Sequence, residues 1–195
     1  MTIDVVTLTG EALAQGLPAL AQLRIEVFRS WPYLYDGTLN YERAYLAKLA
    51  AAKGSIIVAA CNAGTIVGCA TGAPMDEVDA AFAVPFRARG LDTSRIFYCG
   101  ESVLRAEYRG HGIGHRFFDE RAAQARTLGA QLVTFCAVAR PPTHARAPAD
   151  YVPLDAFWRK RGYEKAQGLT TRFSWKDIDE PGETEKLMQF WTKEL

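Results

Sequence analysis

The chain has 195 residues, of which 49% are hydrophobic and 23% charged, and its formal net charge is +1. That length and balance suit one folded domain over residues 1–195 with a sizeable core. A near-neutral chain carries no global field for nucleic acid or an anionic membrane, so any anion binding is local.

Residues 3–8 alternate well enough for a first strand. Over 11–28, Leu13, Leu17, Leu20, Leu23 and Val27 recur at helical spacing, which predicts a helix interrupted near Pro18. Ser30-Trp31-Pro32-Tyr33-Leu34-Tyr35-Asp36-Gly37 is an aromatic-rich loop. A second helix is expected over 40–52, capped by Thr38 or Asn40 and closed by Gly54. The apolar runs 55–61 and 65–72, joined by Asn62-Ala63-Gly64, carry a hairpin signal. Short helices and a loop are expected over 74–94, then a strand over 96–104. The strongest helix covers 112–128 and ends at Gly129. The strand over 131–138 has an uninterrupted apolar centre, as expected when both faces are covered. A proline-rich loop (140–153) leads to a short helix over 154–161, ended by Gly162. Strands over 163–175 and 188–192 close the order, with an acidic connection over 177–185. The pattern predicts α+β, or mixed α/β: a mostly antiparallel twisted sheet of about seven strands flanked by helices, with one strand–helix–strand unit.

The four cysteines, Cys61, Cys69, Cys99 and Cys136, form no C-x-x-C pair and sit in apolar runs, which reads as buried free thiols in a reducing cytosol. His111, His115 and His144 have no metal-ligand spacing with them, so no metal is expected. No basic-then-apolar leader opens the chain, and no apolar run approaches the ~20 residues of a membrane span. The expectation is a cytoplasmic protein that engages neither membrane nor nucleic acid.

Arg109-Gly110-His111-Gly112-Ile113-Gly114 follows an apolar strand and opens a helix. Glycine lets the backbone turn tightly and approach a ligand, and the helix start supplies unpaired N–H groups and a positive dipole end. This is a cradle for a phosphate or pyrophosphate. A Walker A loop needs a Lys-Ser or Lys-Thr that is absent, and the G-x-G-x-G spacing after about the fourth strand does not suit a Rossmann fingerprint. The bland alternative is a glycine-rich turn that merely starts a helix.

With Arg109, Gly112 and Gly114 at the positions of [RQ]-x-x-G-x-[GA], the chain resembles the GNAT superfamily of N-acetyltransferases. Phe157-Trp158 followed by Gly162-Tyr163 matches that family's later aromatic elements. The resemblance covers roughly 96–163. It implies a single-domain GNAT-like fold and an acetyl-CoA site, with backbone groups of Gly110, His111, Gly112, Ile113 and Gly114 on the pyrophosphate. Ser102, Val103 and Leu104 would pair with the pantetheine arm as an added strand does. The implied activity is acetyl transfer from acetyl-CoA to an amine, either of a small molecule or amino-acid-like acceptor, or of a peptide or protein. A non-catalytic acyl-CoA-binding module is the reading from another class.

Amine acetylation needs a base for the attacking nitrogen, and a proton donor helps the leaving sulfur. Glu101 is the candidate base: a carboxylate on an otherwise apolar or small strand, whose partial desolvation would raise its pKa. The alternative is a carboxylate paired with an arginine or pointing at solvent. Simple alternation puts Glu101 opposite Tyr98, Ser102 and Leu104, and a bulge would alter that parity. The family's usual tyrosine donor is replaced by Trp158, whose indole is no acid. Tyr151, Cys136 and Tyr98 are the candidates for the acid, each with core packing as its alternative, while Tyr163 is expected to pack at a strand start.

Trp31, Tyr33 and Tyr35, with Asp36, suit a cationic acceptor amine through cation–π and charge contacts, the alternative being a loop that plugs the core. Arg140, His144 and Arg146 make the second long loop basic, for an anionic acceptor, for the 3′-phosphate of CoA, or simply for solvent, which is favoured. Met188-Gln189-Phe190-Trp191 reads as a last sheet strand in the core, with a homodimer seam as the alternative.

Overall fold

The computed structural model describes residues 2–195. One seven-stranded sheet runs through it in the order β1-β2-β3-β4-β5-β7-β6. β1 (Ile3–Thr7) leads into α1 (Gly10–Phe28) and α2 (Leu39–Ala51). β2 (Ile56–Asn62) and β3 (Thr65–Pro74) form the expected hairpin. Its tip is two residues long, Ala63 (φ 47°) and Gly64 (φ 80°). Two left-handed residues match the twist of the flanking strands.

α3 (Ala80–Ala88) precedes β4 (Ile96–Leu104), and α4 (Ile113–Thr127) connects β4 to β5 (Leu132–Val138). β4 and β5 are parallel, while every other neighbouring pair is antiparallel. α5 (Asp155–Lys160) then leads to β6 (Glu164–Lys176) and β7 (Glu183–Glu194).

Two expectations need correction. α1 is continuous through Pro18. The carbonyl that loses its partner is four residues back, at Ala14, and both residues are exposed, so water can satisfy it. The buried side of α1, with Leu20, Ala21 and Leu23, holds the helix in one piece. The last strand is also longer than 188–192. It takes in 183–185 of the acidic connection and the two residues after it, because all five pair with β6; Glu183 and Glu185 stay exposed there, while Lys186 is buried on Asp177 and Glu180. Its centre is core, with Phe190 and Trp191 at 0% and 2% exposure.

Three apolar clusters hold the layers. One, with Val58, Phe97, Phe117, Val133 and Trp191, seats α4 on the sheet. A second joins Leu20, Leu23 and Leu46 of α1 and α2 to the other face. A third packs Phe86 of α3 against Tyr98, Cys136 and Phe190. All four cysteines are free; three are buried and Cys61 is half-buried at the edge of the hairpin. Among the described residues no helix is long and apolar enough to cross a membrane, and no group of three or more metal-ligating side chains assembles.

Candidate active site

β4 and β5 pair at only three positions, Ile96↔Leu132, Phe97↔Val133 and Tyr98↔Thr134. Beyond Tyr98 they diverge, β4 staying with β3 and β5 with β7. A cleft of ≈ 1570 Å³ opens through the divergence, lined by Glu101, Ser102, Leu104, the glycine loop, Trp31 and Tyr151 among others. That exceeds the roughly 300–1,000 Å³ typical of a single ligand site.

At the divergence β4 carries a bulge. Gly72 pairs with Cys99 and Ala70 with Ser102, so Thr71 faces both Gly100 and Glu101. The bulge reverses the alternation beyond it. Simple alternation would have put Glu101 on the α4 side with Phe97 and Cys99. Instead its side chain meets α1 and α2, and Ser102 meets α4. A Cβ on Gly100 would lie 2.5 Å from Thr71 Oγ1, so the bulge has room for glycine only.

Glu101 is 8% exposed and held at both backbone and side chain. Its N–H donates to Thr71 Oγ1 (3.3 Å), and its carbonyl accepts from Arg121 Nη1 (3.1 Å). Tyr45 donates its hydroxyl to Oε2 at 3.1 Å, and Oε1 is ion-paired with Arg24 Nη1. The arginine pairing that stood as the alternative for Glu101 is therefore present. Arg24 is itself paired through Nε with Glu42, and its guanidinium lies 4.4 Å from the centre of the Tyr45 ring. Arg121 gives its remaining donors to Phe117 O, Thr71 O and Ser102 Oγ.

The glycine loop forms one wall. Gly110 (φ 81°) and Gly112 (φ 77°) are left-handed, with open space where a Cβ would stand. Gly112 caps α4 without a side-chain partner. Among the described residues, the amides of Gly110, His111, Gly112, Ile113 and Gly114 donate to no backbone carbonyl. Ile113 anchors the loop in the core. Arg109 folds back to the strand end, both Nε and Nη2 donating to Leu104 O at 3.4 Å. His111 Nδ1 lies 3.3 Å from Tyr108 O.

The candidates for the acid divide by place. Tyr98 and Cys136 meet where the strands part, hydroxyl to thiol at 3.1 Å. Burial pushes the Tyr98 hydroxyl up, and it pushes the Cys136 thiol up to about 12. Tyr151 is exposed at the cleft mouth, edge-on to Trp31 at 6.0 Å. Trp158 packs between Phe135 and Trp191 (ring centres 5.0 and 5.1 Å), and Tyr163 is buried in the same cluster.

At the end of the cleft lined by residues 31–37, the Tyr33 ring is wedged between Phe28 (4.6 Å) and Trp175 (5.9 Å). Tyr35 pairs by a β-bridge with Asp177. Solvation of Arg140 is a prediction that fails. Arg140 donates to Pro32 O and Tyr33 O, both at 2.9 Å, and its Nη1 lies 2.7 Å from Asp177 Oδ2. Its side chain is 9% exposed, because three acceptors converge on it where the two loops meet. His144 lies 5.1 Å from Trp31, while Arg146 is exposed and pairs with Asp179.

Sequence reasoning missed Arg24, Glu42, Tyr45, Thr71 and Arg121. One signal was available: Arg24, Glu42 and Arg121 are charges on the apolar stripes of their helices, four residues from Leu20, Leu46 and Phe117 respectively.

Comparison with known proteins agrees with this geometry. The family model "Acetyltransferase (GNAT) family" matches residues 18–149. No curated protein matches the chain. Among solved structures it is similar to a ribosomal-protein-alanine N-acetyltransferase from Brucella melitensis (16% identity, TM-score 0.63, covering 98% of this chain and 99% of that one). It is also similar to an N-acetyltransferase from Staphylococcus aureus Mu50 (13%, TM-score 0.64, 100% and 99% covered). A third is a phosphinothricin acetyltransferase from Sinorhizobium meliloti in complex with AcCoA (15%, TM-score 0.62, 100% and 89% covered). At these identities the structures speak for the fold, and the family match covers more than half of the sequence: the chain belongs to the acetyltransferase (GNAT) family.

Proposed function

We propose that this acetyltransferase moves an acetyl group from acetyl-CoA to the amine of a small, amino-acid-like molecule by direct attack on the thioester. The observation that carries the small-acceptor reading is the Arg140 pin. It ties residues 31–37 to the loop that follows β5 and walls the acceptor end of the cleft with Trp31 and Tyr151. A walled pocket suits a compact acceptor, and the cleft volume suits two substrates together.

The free amides of 110–114 at the start of α4 suit the pyrophosphate. The β4 edge over Ser102, Val103 and Leu104, unpaired on the β5 side, suits the pantetheine amides. Glu101 faces the cleft beside this edge and is the base. As the nitrogen attacks, its N–H proton passes to the carboxylate, the N–C bond forms, and the C–S bond breaks with its electron pair going to sulfur. Tyr151, at the mouth, is the proton donor to that sulfur, and Trp31, Tyr33 and Tyr35 flank the acceptor. A peptide or protein acceptor is the second reading, favoured by the likeness to the Brucella enzyme named for a ribosomal protein. CoA release measured with a panel of small amines and N-terminal peptides tests the choice. Turnover with a small amine and none with peptides is expected, and the reverse overturns the small-acceptor reading.

A further inference from the structure

Three ionisable side chains share the floor of the cleft. Arg24, Glu42 and Glu101 come from α1, α2 and β4 and are 7%, 0% and 8% exposed. One guanidinium serves two carboxylates, Nε on Glu42 and Nη1 on Glu101. A buried pair of opposite charges is tolerated, whereas a further buried charge is costly. The trio carries one negative charge more than its cation balances.

We infer that Glu42 and Arg24 are positioning residues that set how readily Glu101 takes up a proton. Glu42 neutralises Arg24, so Glu101 is oriented by the arginine without having sole claim on its charge. This rests on the assignment of Glu101 as base. During transfer, the acceptor's N–H proton moves to Glu101 and its charge goes from −1 to 0. The trio then becomes a neutral Arg24–Glu42 pair beside a protonated carboxyl, the state a dry site favours once acetyl-CoA excludes water.

The other groups around Glu101 do not supply that balance. Tyr45 from α2, Tyr33 from the loop after α1, Tyr98 from β4 and Cys69 from β3 are held neutral, since burial pushes each of them up. Arg121 from α4 stands on the opposite side of the sheet, with its donors spent on carbonyl oxygens and Ser102 Oγ. Among the described residues, only Arg24 contacts the Glu101 carboxylate as a charge, and only Glu42 shares it.

Opposite signs make the test. In protein labelled with 13C at the glutamate carboxyls, the Glu101 resonance is identified by its loss in Glu101→Gln and followed against pH in the free protein. Glu42→Gln leaves Arg24 to Glu101 alone, so protonation of Glu101 moves to lower pH by about 1 unit or more. Arg24→Met leaves two buried carboxylates without their shared cation, so it moves to higher pH by a similar amount. Shifts of the same sign, or no shift, overturn the inference. If Arg24→Met does not fold, Glu42→Gln decides alone, with a downward move required. Turnover by Glu101→Gln tests the base separately: full activity there removes the base and leaves the titration to stand as electrostatics.

Discussion

Replacing Gly100 with alanine tests the bulge that aims Glu101. Gly100 does not have a left-handed φ, so space alone requires the glycine. The new Cβ would stand 2.5 Å from Thr71 Oγ1, and real contacts do not come under 3.0 Å. Either the strand shifts, at about 1–3 kcal/mol for overpacking, or Thr71 turns away. Turning away leaves the buried Glu101 N–H without its 3.3 Å acceptor, at a further cost of about 1–3 kcal/mol. A loss of about 3 kcal/mol lowers the Tm of a chain this long by about 6–12 °C. In urea, the midpoint should fall with the slope unchanged. In a Thr71→Ala background the obstacle is gone, and the same substitution should cost about 1–3 kcal/mol less. With Glu101 displaced, kcat should fall more than acetyl-CoA affinity. Unfolding within about 0.5 kcal/mol of the parent, or equal cost in both backgrounds, would mean that Thr71 does not crowd position 100.

Arg121→Met should cost about 3–5 kcal/mol in urea unfolding, because it strips donors from Thr71 O, Glu101 O and Ser102 Oγ at the bulge; a loss under 1 kcal/mol contradicts the brace. Arg109→Glu should weaken acetyl-CoA binding by about 10-fold or more in calorimetry at low salt, and by less at high salt. Unchanged affinity counts against the loop as the pyrophosphate site. The Cys136 thiol, pushed by burial from 9.0 to about 12, keeps its proton in the folded chain where the unfolded chain has lost it. Stability from this group is therefore complete below about pH 9 and is lost as pH rises toward 12. The gap in stability between parent and Cys136→Ala should narrow over that window, and iodoacetamide at pH 8 should label Cys136 only after unfolding.

Much of the fold was legible because its signals are local. The Ala63–Gly64 turn, the strand over 96–104 and the glycine-capped α4 each declare themselves within a few residues. The proposed donor side of the site shares that property, since the loop over Gly110 to Gly114 is shaped by its backbone conformation. The floor of the cleft does not. Arg24, Glu42 and Glu101 meet from three elements up to 77 residues apart, and Arg140 finds Asp177 from 37 residues away. Charges on apolar stripes mark such residues as unusual, but which charge meets which depends on packing. The parity of Glu101 stayed open between plain alternation and a bulge for the same reason, since the bulge is set by Thr71 on the neighbouring strand.

Whether Glu101 is the base for a small amine is decided by CoA release from acetyl-CoA with a panel of small amines, for the parent and Glu101→Gln side by side across pH. The parent should turn over at least one small amine, while the variant binds acetyl-CoA as the parent does and loses about 10²-fold or more in kcat. CoA release that no amine provokes would rule out a small-amine acceptor, and a variant as fast as the parent at every pH would rule out Glu101 as the base.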